Sequence, residues 1–171
     1  MAVLDATALI HFLEPSAPSI IDPATDEPVT NAQGRIDHLV KTLEERREPV
    51  VVPTPALSEV LVHAGDAMAH YLEVLNGSAW FRIVPFDQRA AVELATILRE
   101  APPARKLRVG VTGTRASLKF DRQILAIARV AGEATIYSDD DDMTTLGRPL
   151  GFDVIKTHQL PLPPAEQESL F

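Results

Sequence analysis

The sequence of 171 residues carries a net charge of −8, contains 46% hydrophobic residues and has no cysteine. This length and composition predict one compact domain with a full apolar core, and the absence of cysteine excludes disulfides, thiolate metal sites and a cysteine nucleophile. No apolar run approaches the roughly 18–20 residues of a membrane span, and the N-terminus lacks the features of a signal peptide. We therefore expect a cytoplasmic protein that does not contact the membrane.

Five short apolar runs are predicted to form β-strands. They are rich in valine and isoleucine and have proline or glycine nearby, which is typical of strands buried on both faces of a parallel sheet. In chain order they are AVLD (2–5), PVVVP (49–53), FRIVPF (81–86), ATIYS (134–138) and FDVIK (152–156).

Helical patterns occupy the gaps between these strands. A break near Gly65 separates two of the helices, Asp87 is a suitable N-cap, and Gly132 suits the end of the last helix. The alternation predicts an α/β fold, a single domain with a mainly parallel central sheet of about five strands flanked by helices. The predicted helices cover residues 6–13, 30–47, 55–64, 66–76, 87–100 and 115–131.

Three segments depart from the alternation. Residues 14–29 contain four prolines and are predicted to form a surface loop. Residues 101–114 form a second long loop, and loops of this length in a compact domain are often functional. Residues 157–171 form a proline-rich tail that is disordered, packed on a neighbour or bound to a partner, and the sequence leaves these alternatives open. The predicted domain spans residues 1–156.

Basic residues are concentrated in one part of the chain. The acidic net charge argues against a general nucleic-acid binder, but residues 99–119 hold six basic side chains against Glu100 alone. A solvated loop explains this charge as readily as a polyanion site does. The six are Arg99, Arg105, Lys106, Arg108, Arg115 and Lys119.

Acidic residues follow two of the predicted strands. Asp5 ends the first strand, and the run Asp139–Asp142 follows the fourth. Ligands of open parallel sheets collect outside the carboxyl ends of the strands. If these two strands are neighbours, Asp5 lies within reach of the run, although Asp5 alone is equally explained as a helix cap or turn residue.

Two further acids lie on predicted helices. Asp121 shares its helix face with Leu118, Leu125 and Ala128, so a carboxylate there faces burial and needs a basic side chain or a metal. Glu59 lies in a helix that is apolar nearly all round, where it either contributes to a site or merely interacts with the helix dipole.

The combination predicts a metal site. Several carboxylates in one pocket raise one another's pKa unless a cation neutralises them. Oxygen ligands without cysteine suit Mg²⁺ or Mn²⁺, and ions held in this way support phosphodiester hydrolysis.

In these positions the sequence resembles the PIN domain family, and more narrowly its VapC-like ribonuclease toxins. The segment AVLDATALIHFL is similar to the opening strand and helix of the family, and VVVPTPALSEVL is similar to the second strand with the helix that carries a glutamate. IVPFDQRAAVELATILRE is similar to the third strand and its helix. SLKFDRQILAIARVAGEATIYSDDDDM carries the remaining acids and a Ser-x-Asp segment, Ser138-x-Asp140.

The resemblance implies roles for individual residues. Asp5, Glu59, Asp121 and Asp140 are the expected catalytic metal-site acids, with Asp142 as a secondary acid and Thr7 and Ser138 as supporting hydroxyls. Asp139 and Asp141 are expected to face solvent, with one of them capping the next helix. The expected phosphate contacts are Arg105, Lys106, Arg108, Arg115 and Lys119.

The resulting hypothesis is an endoribonuclease dependent on Mg²⁺ or Mn²⁺. An activated water would attack the phosphorus in line without a protein nucleophile, leaving 5′-phosphate and 3′-hydroxyl ends. The family resemblance implies an RNA substrate, a small antitoxin partner and a homodimer. The alternative is a non-catalytic PIN-fold module that binds RNA or protein.

Overall fold

The structure is a computed structural model of the chain. It describes residues 2–100 and 115–164. At positions 100 and 115–117 it describes the backbone alone. The predicted loop at 101–114 and the last part of the tail, residues 165–171, lie outside the described residues.

A five-stranded parallel sheet forms the centre of the fold, which confirms the predicted α/β architecture. The strand order is β5-β4-β1-β6-β7, with Val3 of β1 paired to Val51 on one side and to Ile136 on the other. All five strands fall inside the predicted runs. They are β1 Ala2–Leu4, β4 Val50–Pro53, β5 Phe81–Val84, β6 Thr135–Tyr137 and β7 Asp153–Ile155.

The order of the strands reverses at the middle of the sheet. From β1 the chain builds outward through β4 and β5 on one side, and then returns to build β6 and β7 on the other. Because β1 and β6 are neighbours, the residues that follow them meet at one point of the carboxyl edge, where ligands of such sheets bind. The predicted proximity of these two strands is therefore confirmed.

Helices flank the sheet, and six of them follow the predicted ranges closely, whereas α7 (Asp141–Gly147) lies outside those ranges. Asp87 caps its helix as predicted, because its Oδ1 accepts a 2.9 Å hydrogen bond from the Ala90 amide. The helices are α1 Ala6–Leu13, α2 Ala32–Glu45, α3 Thr54–Ala64, α4 Met68–Gly77, α5 Gln88–Glu100, α6 Arg115–Val130 and α7 Asp141–Gly147. None of them is long and apolar enough to cross a membrane.

The segment at 14–29 differs from the prediction. It lies on the surface, but it contains a short antiparallel hairpin of β2 Ile21–Asp22 and β3 Glu27–Pro28 instead of an irregular loop. Asp26 adopts a left-handed conformation, with φ of 58°, at the turn. Aspartate tolerates this conformation better than most residues, so the chain can reverse there without glycine.

The first part of the predicted tail packs against the domain. Residues Thr157–Gln159 form a turn of 3₁₀ helix, and both Thr157 and Leu160 are buried. The Arg35 guanidinium of α2 donates a hydrogen bond to the Leu160 carbonyl. Residues 157–160 are thereby fixed to the body of the protein.

Candidate active site

Three acids are almost completely buried near the carboxyl edge of the sheet. Asp5 follows β1 and is 4% exposed, Asp121 lies on α6 and is 5% exposed, and Asp142 lies in α7 and is 2% exposed. Glu59 of α3 and Asp140, which follows β6, are partly exposed. Burying three carboxylates at one edge of the sheet carries a large electrostatic cost, because each loses contact with water.

Asp5 is held by two hydrogen-bond donors. The Ser138 hydroxyl donates a 2.7 Å hydrogen bond to its Oδ2, and the backbone of Ala6 supplies a second bond. Burial nevertheless raises the pKa of Asp5, and the nearby charges of Asp140 and Asp139 raise it further, against the lowering effect of the two donors. Burial therefore outweighs hydrogen bonding at this carboxyl group.

Asp121 lies on the apolar face of α6, as the sequence predicts. Leu118, Leu125 and Ala128 on this face are all buried, and Asp121 Oδ2 has no hydrogen-bond partner among the described residues. Its pKa is raised to about 7, first by burial and then by the charges of other acids. Those acids are, in decreasing order of effect, Asp140, Asp5, Glu59 and Asp142.

Glu59 experiences the same environment from the α3 side. Burial raises its pKa, and the charges of Asp5 and Asp140 add to that increase. Glu59 thus interacts with one acid near the start of the chain and another that follows the fourth strand of the central sheet. The fold brings the four predicted catalytic acids within electrostatic range of one another.

Asp140 has a structural contact in addition to its place among the acids. Its Oδ1 accepts a 2.7 Å hydrogen bond from the Asp142 amide, which caps the N-terminus of α7. Burial raises the pKa of Asp140 most, Asp142 and Asp141 raise it further, and the Asp142 amide and Lys156 lower it. The expectation that Asp139 or Asp141 caps this helix is therefore wrong.

The four consecutive aspartates have four different environments. Asp139 does not face solvent as expected, because it is partly buried and accepts two hydrogen bonds from Thr157. Asp141 is exposed and pairs with the Lys156 ammonium group. Each carboxylate therefore has its own contacts, and the run as a whole is not a solvated acidic loop.

The two expected supporting hydroxyls differ in what they contact. Ser138 bonds the Asp5 carboxylate and also accepts a 3.1 Å hydrogen bond from the Asp140 amide. Thr7 accepts a 3.1 Å hydrogen bond from the Asp139 amide, so its hydroxyl holds the loop after β6 and does not bond a carboxylate.

The donor types at this edge fit a hard divalent cation. All five acids offer oxygen, and a cation would neutralise a buried oxygen such as Asp121 Oδ2, which has no partner among residues 2–100 and 115–164. Among residues 2–100 and 115–164, however, no group of three or more His, Cys, Asp or Glu side chains is arranged so that it could hold a metal ion. The oxygen donors fit such a cation in their chemistry.

Few of the predicted phosphate contacts fall within the described part of the chain. Lys119 is exposed on α6, two residues before Asp121. Arg115 begins α6, but its side chain is not described, and Arg105, Lys106 and Arg108 lie outside the described residues. Sequence reasoning missed Lys156, which follows β7 at the same edge of the sheet and acts on Asp140. The position of Lys156 at the end of the fifth predicted strand was the sequence signal that could have identified it.

No protein-family model matches the sequence, and no curated protein matches it. Among solved structures, the chain is similar to one from the crystal structure of DNA-bound VapBC from Salmonella typhimurium. The TM-score is 0.55 over 91% of this chain and 97% of the other, with 15% sequence identity. The protein therefore has the PIN-like fold of VapC, which the sequence resemblance predicts.

Proposed function

We propose that this protein is a metal-dependent endoribonuclease that hydrolyses RNA phosphodiester bonds. The observation that carries the proposal is the convergence of Asp5, Glu59, Asp121 and Asp140 from different elements. Asp140 raises the pKa of the other three acids, and Asp5 also raises the pKa of Glu59 and Asp121. A cluster of this kind carries an electrostatic cost, and acids with shifted pKa values gathered in one place are typical of active sites.

The proposed ligands of Mg²⁺ or Mn²⁺ are these four acids, with Asp142 in a secondary position. When bound, the cation supplies Lewis-acid stabilisation of phosphate charge and makes water a stronger nucleophile at neutral pH. Asp121 Oδ2 supports the proposal, because among the described residues it has no hydrogen bond of the kind that a structural buried carboxylate would have.

Other residues of the chain fix the orientation of the proposed ligands and contribute positive charge near them. Ser138 fixes one oxygen of Asp5, and the Asp142 amide fixes one oxygen of Asp140. Asp121, whose pKa is raised to about 7, would have to be deprotonated to hold the cation. The exposed Lys119, together with Arg105, Lys106, Arg108 and Arg115, is proposed to contact RNA phosphates and to offset the repulsion between RNA and the acids.

The proposed biological role is that of a cytoplasmic toxin paired with a small antitoxin. One solved structure with this fold is that of DNA-bound VapBC, which supports an antitoxin partner here. A homodimer is part of the same proposal, since members of the family that the sequence resembles commonly form one.

A second candidate is a non-catalytic PIN-fold module that binds RNA or protein. It is favoured by one observation: the described acidic side chains, as they stand, do not form a three-residue ligand set. A PIN-fold protein that no longer binds a metal would keep the acidic residues, but their side chains would not surround a cation.

Cleavage of total cellular RNA distinguishes the two candidates. Purified protein, free of any antitoxin, is incubated with Mg²⁺ or Mn²⁺ and separately with chelator. Asp121→Asn removes one proposed ligand, and Asp153→Asn is the matched control, because Asp153 is exposed at the opposite end of β7. We expect metal-dependent cleavage by the wild type and by Asp153→Asn, and none by folded Asp121→Asn.

The ends of the fragments test the chemistry separately. Ligation to adaptors that require 5′-phosphate and 3′-hydroxyl groups should capture the products. If metal-loaded wild-type protein leaves several RNA pools intact, the proposal of catalysis is wrong and the binding module is the better description.

A further inference from the structure

Asp139 attaches the loop after β6 to the segment after β7, in addition to the pair that Asp141 forms with Lys156. Asp139 Oδ1 accepts a 2.9 Å hydrogen bond from the Thr157 amide, and its Oδ2 accepts a 2.6 Å hydrogen bond from the Thr157 hydroxyl. Asp139 and Thr157 therefore form a two-point contact between the loop and the C-terminal segment.

The C-terminal half of this contact is itself anchored. Thr157 is 3% exposed and begins the 3₁₀ turn Thr157–Gln159. Gln159 Oε1 accepts a 2.9 Å hydrogen bond from the Lys156 amide at the start of the turn, and the carbonyl of buried Leu160 accepts a bond from Arg35 of α2. Thr157 is therefore a fixed point to which a loop can be attached.

The backbone of Asp139 makes a second connection. Its amide donates a 3.1 Å hydrogen bond to Thr7 Oγ1 on α1. One residue thus ties the loop to α1 on one side and to the segment after β7 on the other.

The residues on either side of Asp139 belong to the proposed metal site. Ser138 bonds Asp5, and Asp140 is one of the four proposed ligands. The charge of Asp140 raises the pKa of Asp5, Glu59 and Asp121, so like-charge repulsion acts between Asp140 and these three acids. A loop that carries an acid into such a cluster needs an attachment outside the cluster to stay in place.

We infer that Asp139 is a positioning residue, with Thr157 as its partner, which holds Ser138 and Asp140 in place for cation binding. The inference rests on the proposed function, because it assumes that Asp140 is a ligand. It also makes the segment after β7 part of the site, although that segment lies beyond the predicted domain boundary at residue 156.

The test compares Thr157→Val, which keeps the shape of the side chain and removes the hydroxyl, with Thr157→Ser, which restores the hydroxyl. Thr145→Val on the exposed face of α7 controls for loss of a threonine hydroxyl near the loop. Asp139→Asn is a second probe in case Thr157→Val does not fold, and circular dichroism establishes that each variant folds.

Two measurements are made on the full chain. The first is Mn²⁺ affinity by calorimetric titration. The second, without metal, is hydrogen exchange of the Asp140 and Asp142 amides, which donate to Ser138 Oγ and Asp140 Oδ1. A contact that only adds global stability would change all slowly exchanging amides together, whereas a positioning contact changes these two first.

We expect Thr157→Val to bind Mn²⁺ about tenfold more weakly, since outer partners of metal ligands typically contribute 10–100-fold. The two amides should exchange faster, and Thr157→Ser should restore both properties. Unchanged affinity and unchanged exchange in Thr157→Val and Asp139→Asn would overturn the inference. If the wild type itself binds no Mn²⁺ while the two amides still respond to Thr157→Val, the metal-site function fails and the attachment of the loop stands.

Discussion

The Ser138 hydroxyl lies 2.7 Å from Asp5 Oδ2, which joins the ends of β6 and β1 although the two residues are 133 positions apart in the chain. Ser138 is 2% exposed, and its hydroxyl oxygen also accepts a hydrogen bond from the Asp140 amide. One hydroxyl therefore links two of the proposed ligands at the point where the strand order reverses.

Ser138→Ala should weaken both the fold and the site. The substitution leaves a buried Asp5 oxygen and the Asp140 amide without this partner, which costs about 1–3 kcal/mol of unfolding free energy. Because the hydrogen bond lowers the pKa of Asp5, its loss raises that pKa further. Protons then compete better with a cation, so we expect the decrease in Mn²⁺ affinity to be larger at pH 6 than at pH 8.

Urea unfolding and metal titration at the two pH values measure these effects. Ser138→Thr retains the hydroxyl and should remain close to the wild type in both. Equal Mn²⁺ affinities for Ser138→Ala and the wild type at pH 6 would argue that Ser138 does not lower the pKa of Asp5.

Asp121 should make the metal-free protein less stable as the pH rises. Its ordinary pKa of 3.8 is raised to about 7 in the fold, so between these values the folded chain holds a proton that the unfolded chain has released. The stabilisation is fully present below about pH 4 and disappears as the pH rises through about 7. Asp121→Asn removes this dependence, and above pH 7 it should be more stable than the wild type by at most on the order of 4 kcal/mol.

Chemical unfolding in chelator from pH 4 to pH 8 measures the difference between the two proteins. The stability of Asp121→Asn still falls somewhat with pH, because burial also raises the pKa of Asp5, Glu59 and Asp140. Asp153→Asn should follow the wild type throughout. A constant difference between Asp121→Asn and the wild type across this range would show that Asp121 is not protonated in the fold.

Patterns along the chain are sufficient to predict the sheet and the location of several of the candidate acids. Apolar runs at the right spacing locate all five strands of the central sheet, and the helical period alone places Asp121 among Leu118, Leu125 and Ala128. These predictions succeed because burial is periodic in sequence. Neighbouring strands β1 and β6 then bring Asp5 and Asp140 to the same edge.

Features that leave no periodic pattern in the sequence were not predicted. Asp139 was expected in solvent, but its partner Thr157 lies 18 residues away and meets it only after β6 and β7 pair. The hairpin at Ile21–Pro28 was missed because its turn uses a left-handed Asp26 and its strands are two residues long, too short for any alternating pattern.

Lys119→Ala should reduce the salt dependence of RNA binding. Lys119 is exposed, whereas Asp121 two residues later is buried, so the lysine points away from the acids toward solvent. Removing one phosphate contact changes the slope of log K against log salt by about 0.7–1. Fluorescence anisotropy with Asp121→Asn as the cleavage-deficient background measures this slope, because the RNA then remains intact.

The exposed Lys41 on α2 provides a control of equal charge, and Lys41→Ala in the same background should leave the slope near that of the parent. If Lys119→Ala and Lys41→Ala change the slope equally, the contribution of Lys119 is one of net charge and not of a phosphate contact.

Ending the chain at residue 156 should destabilise the protein, even though the alternating pattern of strands and helices ends there. The truncation removes Thr157 from Asp139 and buried Leu160 from its contact with Arg35. Loss of one buried leucine and of these hydrogen bonds should cost about 2–4 kcal/mol of unfolding free energy. A chain of residues 1–164, which keeps every described residue of the segment, is the matched control, and urea unfolding at pH 5 compares the two. The same unfolding midpoint for both chains would mean that the segment after β7 only rests on the domain, whereas a lower midpoint for residues 1–156 means that the domain extends at least to Leu160.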